Sequence, residues 1–184
     1  NACAASPIAC AVWVGVTVKQ AAIATLQKFD PVRYGALRFA FKQPEGCADP
    51  KDAENGLAWD AIAQTGALLR SSSKENPLLD LNPQRVWVAG YAGASGLITT
   101  FANVVHQRMR MGDSGPVYNG YFSAGNAGVA AAIHPCAAPL PATDSRLTVL
   151  PREVPFVTIV SESDAEQAAP RHRADSDAPD DVFR

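Results

Sequence analysis

Hydrophobic residues along the chain recur with two periods, and the switches between them mark out the elements. Residues 11–18, AVWVGVTV, are apolar with almost no alternation, the pattern of a strand covered on both faces, and predict a central parallel strand. A short helix is predicted over 21–28. Proline and glycine then break the chain repeatedly, so residues 30–54 predict a long irregular connection, the kind of loop that is usually functional or a surface insertion. Asn55 or an acidic neighbour can cap a helix over Gly56 to Arg70, in which Leu57, Ile62, Leu68 and Leu69 supply an apolar face. The run Val86 to Ala89 enters a glycine-rich turn. Beyond it Leu97, Phe101, Val104 and Val105 stand at i, i+4, i+7 and i+8, which predicts a helix over 96–109 with one buried stripe. VYNGYFSA (117–124) reads as a strand. A second excursion, 123–150, is rich in small residues and proline. VPFVTIVSESD (154–164) reads as a strand that ends in hydroxyl and acidic residues, and 165–184 as a polar tail or a truncated domain end. The order β, α, β, α, β, β predicts an α/β fold with a mainly parallel sheet flanked by helices.

Composition narrows this picture. With 184 residues, 47% of them apolar, the chain can bury one core, so residues 1–184 are expected to form a single domain or a fragment of one. Lys plus Arg number 16 against 18 Asp plus Glu, with no basic stripe, which argues against nucleic-acid and anionic-membrane partners. No apolar run approaches the roughly 18 residues of a membrane span, and no basic region with an apolar signal core opens the chain. Cys3, Cys10, Cys47 and Cys136 match no metal-ligand spacing, so no metal is expected. Their even number and loop settings fit structural bridges in a secreted or periplasmic protein, and buried thiols fit equally well.

The candidate chemistry lies in VWVAGYAGASGLITTFANVVH, residues 86–106. Gly90, Gly93 and Gly96 are spaced as a variant of the glycine fingerprint that cradles a dinucleotide pyrophosphate. That fingerprint belongs to the first βαβ unit and needs an acidic residue about 20 positions on, at the end of the next strand. Here the next strand ends in YFSAG, without a carboxylate. A nicotinamide-dependent oxidoreductase is therefore the weaker alternative, and no cofactor is expected. The stronger reading takes Gly90-Tyr91-Ala92-Gly93 as a nucleophile elbow, the tight strand-to-helix turn of the G-x-S-x-G hydrolases.

The stretches AVWVGVTVKQAAIATLQKFDPVRYGAL, ENGLAWDAIAQTGALL, RVWVAGY, GLITTFANVVH and VPFVTIVSESD resemble successive landmarks of the "α/β hydrolase domain" family of predicted serine esterases. The resemblance spans nearly the whole chain. It implies an α/β-hydrolase-like sheet, incomplete at both ends, and an ancestry of carboxylic ester hydrolysis with a small ester or acid as ligand. The family elbow reads roughly G-x-S-Q-S-x-G, followed by a Thr-Tyr or Thr-Phe pair and Asn-x-x-His. Gly90, Gly96, Thr100, Phe101, Asn103 and His106 match it, the serine falls on Ala92, and Gly93 and Ala94 replace the usual Gln and second Ser.

A methyl group cannot attack a carbonyl, so Ala92 closes the acyl-enzyme route. Ser95 is the substitute to weigh, although a serine near a helix N-terminus is more often a local hydrogen-bonding group. Asp164 matches the family's acid position and Glu162 competes with it. The backbone N–H of Gly93 would be the surviving oxyanion donor. Triad order requires a histidine after the acid, and His172 follows too closely to resemble the family's base. His106 and His134 read as structural hydrogen-bonders. The expectation is a hydrolase-like protein, weak or inactive as it stands, or a pseudoenzyme that keeps the pocket to bind a ligand or partner.

Overall fold

The structure is a computed structural model and describes residues 20–37, 56–81, 83–125, 130–133, 137–138, 140–141, 143–149, 153–168 and 178–179. The strand expected over 11–18 and all four cysteines lie outside these residues. Two compact units, Asn1–Pro83 and Gln84–Arg184, divide the chain.

In the first unit, α1 (Gln20–Phe29) and α3 (Gly56–Leu69) form where the apolar spacing predicts helices. The stretch expected to open an irregular connection instead contains one helical turn, α2 (Pro31–Tyr34). Asp30 sits in extended geometry before it and accepts a 2.9 Å bond from the Arg33 N–H, while Pro31 supplies a preset φ at the first helical position. Along α3, Ala58, Trp59, Ile62, Ala63 and Leu69 are buried, and Leu68, expected on that face, is half-buried. Buried Asn76 closes the end of α3. Its amide donates to the carbonyls of Leu69 (3.2 Å) and Ser71 (2.8 Å), and its oxygen accepts from Leu78 N–H (2.9 Å).

In the second unit three parallel strands, β1 (Trp87–Tyr91), β2 (Gly120–Ala124) and β3 (Phe156–Ile159), lie in that order. Gly90 pairs with Ser123 and Ser123 with Thr158; Tyr91 pairs with Ala124 and Ala124 with Ile159. The β1–α4–β2 connection and the parallel pairing are what the alternating pattern predicts. Helix α4 (Gly93–Thr100) covers one face and runs straight into a π-helical turn, Phe101–Val105. Tyr121, fully buried at the centre of that face, meets Phe101, Tyr118, Phe156 and His106 with ring centroids 5.6–6.3 Å apart.

Three expectations are corrected here. The helix begins at Gly93, not 96, and its α geometry stops at Thr100, not 109. The buried residues are Ser95, Gly96, Ile98, Thr99, Thr100, Phe101, Ala102, Val105 and His106, with Leu97 half-buried and Val104 exposed. The π turn takes in an extra residue and rotates the later positions out of 3.6-residue phase. Finally, β3 ends at Ile159, and Glu162–Ala168 form a short helix, α5, which takes in both the acidic end of the expected strand and the start of the expected tail. SESD is a Ser-x-x-Asp helix start, and the Ser161 carbonyl accepts from the N–H groups of Asp164 and Ala165, each at 3.0 Å.

Candidate functional site

The turn between β1 and α4 is built as the elbow reading requires. Ala92 sits at φ 50°, ψ −119°, and among the described residues no other non-glycine has positive φ. The conformation lies outside the regions open to a residue with a Cβ and costs about 1–3 kcal/mol. The sharp reversal brings α4 close over β1. A Cβ at Gly90 would stand 2.6 Å from the Ala94 carbonyl oxygen and 2.7 Å from Ile98 Cγ1, so only glycine fits. At Gly93, by contrast, a Cβ would meet nothing within 4 Å, which agrees with a larger residue at that place in the family pattern.

Two hydrogen bonds from the elbow converge on the end of β2. Ala92 N–H donates to the Ala124 carbonyl at 2.9 Å, and the Ser95 hydroxyl reaches both that carbonyl (2.6 Å) and the Gly90 carbonyl (2.9 Å). Ser95 is fully buried beneath the turn. Its Oγ holds the first turn of α4 to two strands, away from the exposed apex at Ala92. One residue on, Gly125 at φ 60° donates to the Ile159 carbonyl at 3.0 Å, so the ends of all three strands are laced together. We expect Ala92→Gly to stabilise the chain. Relief of the strain exceeds the roughly 0.4–1 kcal/mol cost of a more flexible unfolded chain, for a net gain of about 1 kcal/mol. Chemical denaturation measures it, and a loss of stability would refute the strain.

Asp164 and Glu162 occupy the first turn of α5, just past the end of β3. In a parallel sheet all strand ends share one edge, so the strand that leads to Ala92 and the strand that leads to these acids end on the same edge with β2 between them, two strand spacings or roughly 10 Å apart. The Asp164 carboxylate accepts a 2.6 Å bond from the Ser161 hydroxyl. Gly93 opens α4 with its N–H among the donors a helix start leaves without intrahelical partners. His134 and His172 lie outside the described residues.

The residues after the elbow tie down its surroundings. Thr100 Oγ1 donates to the Ala131 carbonyl at 2.8 Å, and Asn103 Nδ2 donates to the carbonyls of Arg146 (3.2 Å) and Thr148 (3.0 Å). Phe101 packs edge-on against Tyr118. Buried His106 places Nδ1 2.7 Å from the Tyr121 hydroxyl and Nε2 3.3 Å from Glu153 Oε1. Glu153 also pairs with Arg110, which with His106 holds its carboxyl below the usual range. Tyr121, Glu153, Ala124 and Gly125 carry no motif that a reading of the sequence alone singles out; a buried His106 without an aliphatic reason to be there is the one signal pointing to polar partners.

The loop under Asn103 carries its own clasp. Asp144 accepts from the Arg146 N–H (2.9 Å), Nε (2.9 Å) and Nη2 (2.7 Å), and these bonds hold its carboxyl at about 2. A carboxyl lowered by folding stabilises above its ordinary value of 3.8 and loses that contribution as pH falls toward its folded value. Amide signals of Arg146 and Thr148 are therefore expected to shift between pH 4 and pH 2, ahead of those in β1 and β2. Simultaneous change throughout the sheet would contradict a local clasp.

A parallel sheet whose strand passes through a strained, glycine-flanked turn into a helix on its face is the frame of the α/β hydrolases. A family model described as "Alpha/beta hydrolase domain" matches residues 9–184, and the chain belongs to that family. No curated protein and no solved structure matches the chain.

Proposed function

We propose that this chain is a non-hydrolysing relative of carboxylic ester hydrolases, which keeps the elbow as a binding site for a small ester or acid. The observation that carries this reading is Ala92, a methyl group in the strained conformation that presents a nucleophile in active members of the fold. Nucleophilic catalysis needs an activated hydroxyl or thiol at that apex. Ser95 does not supply it, because its hydroxyl is buried and bonded to the Gly90 and Ala124 carbonyls. In this reading the Gly93 N–H faces the ligand's carbonyl oxygen as a single donor, and Asp164 or Glu162 is the remnant of the acid. One donor without a nucleophile binds a carbonyl and leaves it intact.

The test is active-site labelling of the chain with a fluorophosphonate. We expect no rapid stoichiometric labelling. Rapid labelling that Ser95→Ala abolishes would overturn the proposal.

A further inference from the structure

At the strand edge beside Ala92, one aromatic side chain stands almost free: Tyr91 is 76% exposed. Ile159, at 54%, and Val160, at 41%, are exposed at the end of β3. Tyr91, Ala124 and Ile159 are register partners, so they share one row on one side of the sheet, with only a methyl group between the two large side chains. The ring is supported from below. A Cβ at Gly125 would approach Tyr91 Cε2 to 3.1 Å, so the ring lies against bare backbone.

The charges in this region restrict what can sit there. The segments forming this edge, 86–105, 117–125 and 154–161, contain no Asp, Glu, Lys, Arg or His. The next residues in the chain are the acidic first turn of α5, with Glu162 and Asp164. An anionic ligand would find no cationic side chain on these segments and two carboxylates just beyond them, whereas a neutral carbonyl loses nothing by their absence.

We propose that the site takes a neutral ester carrying a flat apolar group, which packs on Tyr91 and spans toward Ile159 while its carbonyl lies at the Gly93 N–H. This rests on the ligand-binding reading above and specifies its substrate class. An exposed ring resting beside backbone gives open stacking area for such a group.

The experiment titrates the chain with phenyl acetate, methyl acetate and sodium benzoate and follows the Ala92 and Gly93 amides by NMR. Phenyl acetate should saturate at a concentration at least ten-fold below methyl acetate, and benzoate should not saturate. Tyr91→Ala should reduce phenyl acetate to the affinity of methyl acetate, while Tyr91→Phe preserves the difference. If Tyr91→Ala lowers the thermal midpoint, Ile159→Ser replaces it, with a partial loss of the same preference expected. Equal binding of the two esters, tighter binding of benzoate, or a Tyr91→Ala change in molecular mass in solution with no change in ester affinity would overturn the inference and leave ligand binding intact. If neither ester moves the elbow amides, the ligand-binding reading falls and the inference with it.

Discussion

Tyr121→Ala is expected to destabilise the chain by about 4 kcal/mol, the scale for truncating a buried aromatic to alanine. Tyr121 is fully buried and in contact with Phe101, Tyr118, Phe156 and the His106 ring, so its removal opens a void lined by rigid rings that cannot collapse into it. It also strips His106 Nδ1 of a 2.7 Å partner. Tyr121→Phe separates the two effects. It keeps the ring and removes only the hydroxyl, and should cost about 1–3 kcal/mol for a buried polar group left without its bond. Urea midpoints measure both variants, and a loss below about 1 kcal/mol for Tyr121→Ala would show that the ring cluster is not the centre of the core.

Gly90→Val is expected to match or exceed that loss through the opposite mechanism. The first added atom already falls 2.6 Å from the Ala94 carbonyl oxygen and 2.7 Å from the Ala94 carbonyl carbon, both backbone atoms that cannot rotate aside. Relief requires α4 to lift from β1, which breaks the Ser95 hydroxyl bonds and the turn with them. Overpacking costs of about 1–3 kcal/mol apply where side chains can adjust, and here the obstruction is main chain, so about 4 kcal/mol or outright failure to fold is expected. Gly93→Ala is the control. The space at Gly93 is open, and alanine is the better helix former by about 1 kcal/mol, so this variant should be neutral or stabilising. Equal damage from the two substitutions would refute the close approach of α4 to β1.

The sharp strand-to-helix turn was legible in the sequence because its requirements are local. A strand, a residue that must be glycine under a helix, a small apex and an amphipathic segment all fall within 86–106. The parallel sheet was legible from alternation of strand and helix. The phase of the helix was not, because nothing in FANVV distinguishes a π turn from an α turn, and the expected burial of Val104 follows a period the backbone does not keep; Leu97, in the regular part of the helix, is half-buried at the flank of the covered face. SESD was read as the end of a strand because the apolar run leads into it without a glycine or proline break. Its Ser-x-x-Asp spacing is the available signal for a helix start, and the bond from the Ser161 hydroxyl to the Asp164 carboxylate is the contact that depends on it. Ser95 shows the other limit. A serine beside the apex in sequence is compatible with chemistry or with structure, and only the positions of the Gly90 and Ala124 carbonyls place its hydroxyl under the turn.

The wide turn at Phe101–Val105 holds one residue more than a regular helical turn, which gives the chain slack in length at this point. A regular helix advances about 100° per residue, so deleting one residue from this turn would let it close to α geometry while the segments on either side keep their places, with Thr100 still on the Ala131 carbonyl. His106 would stay against Tyr121. A single-residue deletion inside this turn should therefore be tolerated better than one inside α4, where the regular helix has no surplus residue to give up and everything beyond the gap would swing round by about 100°.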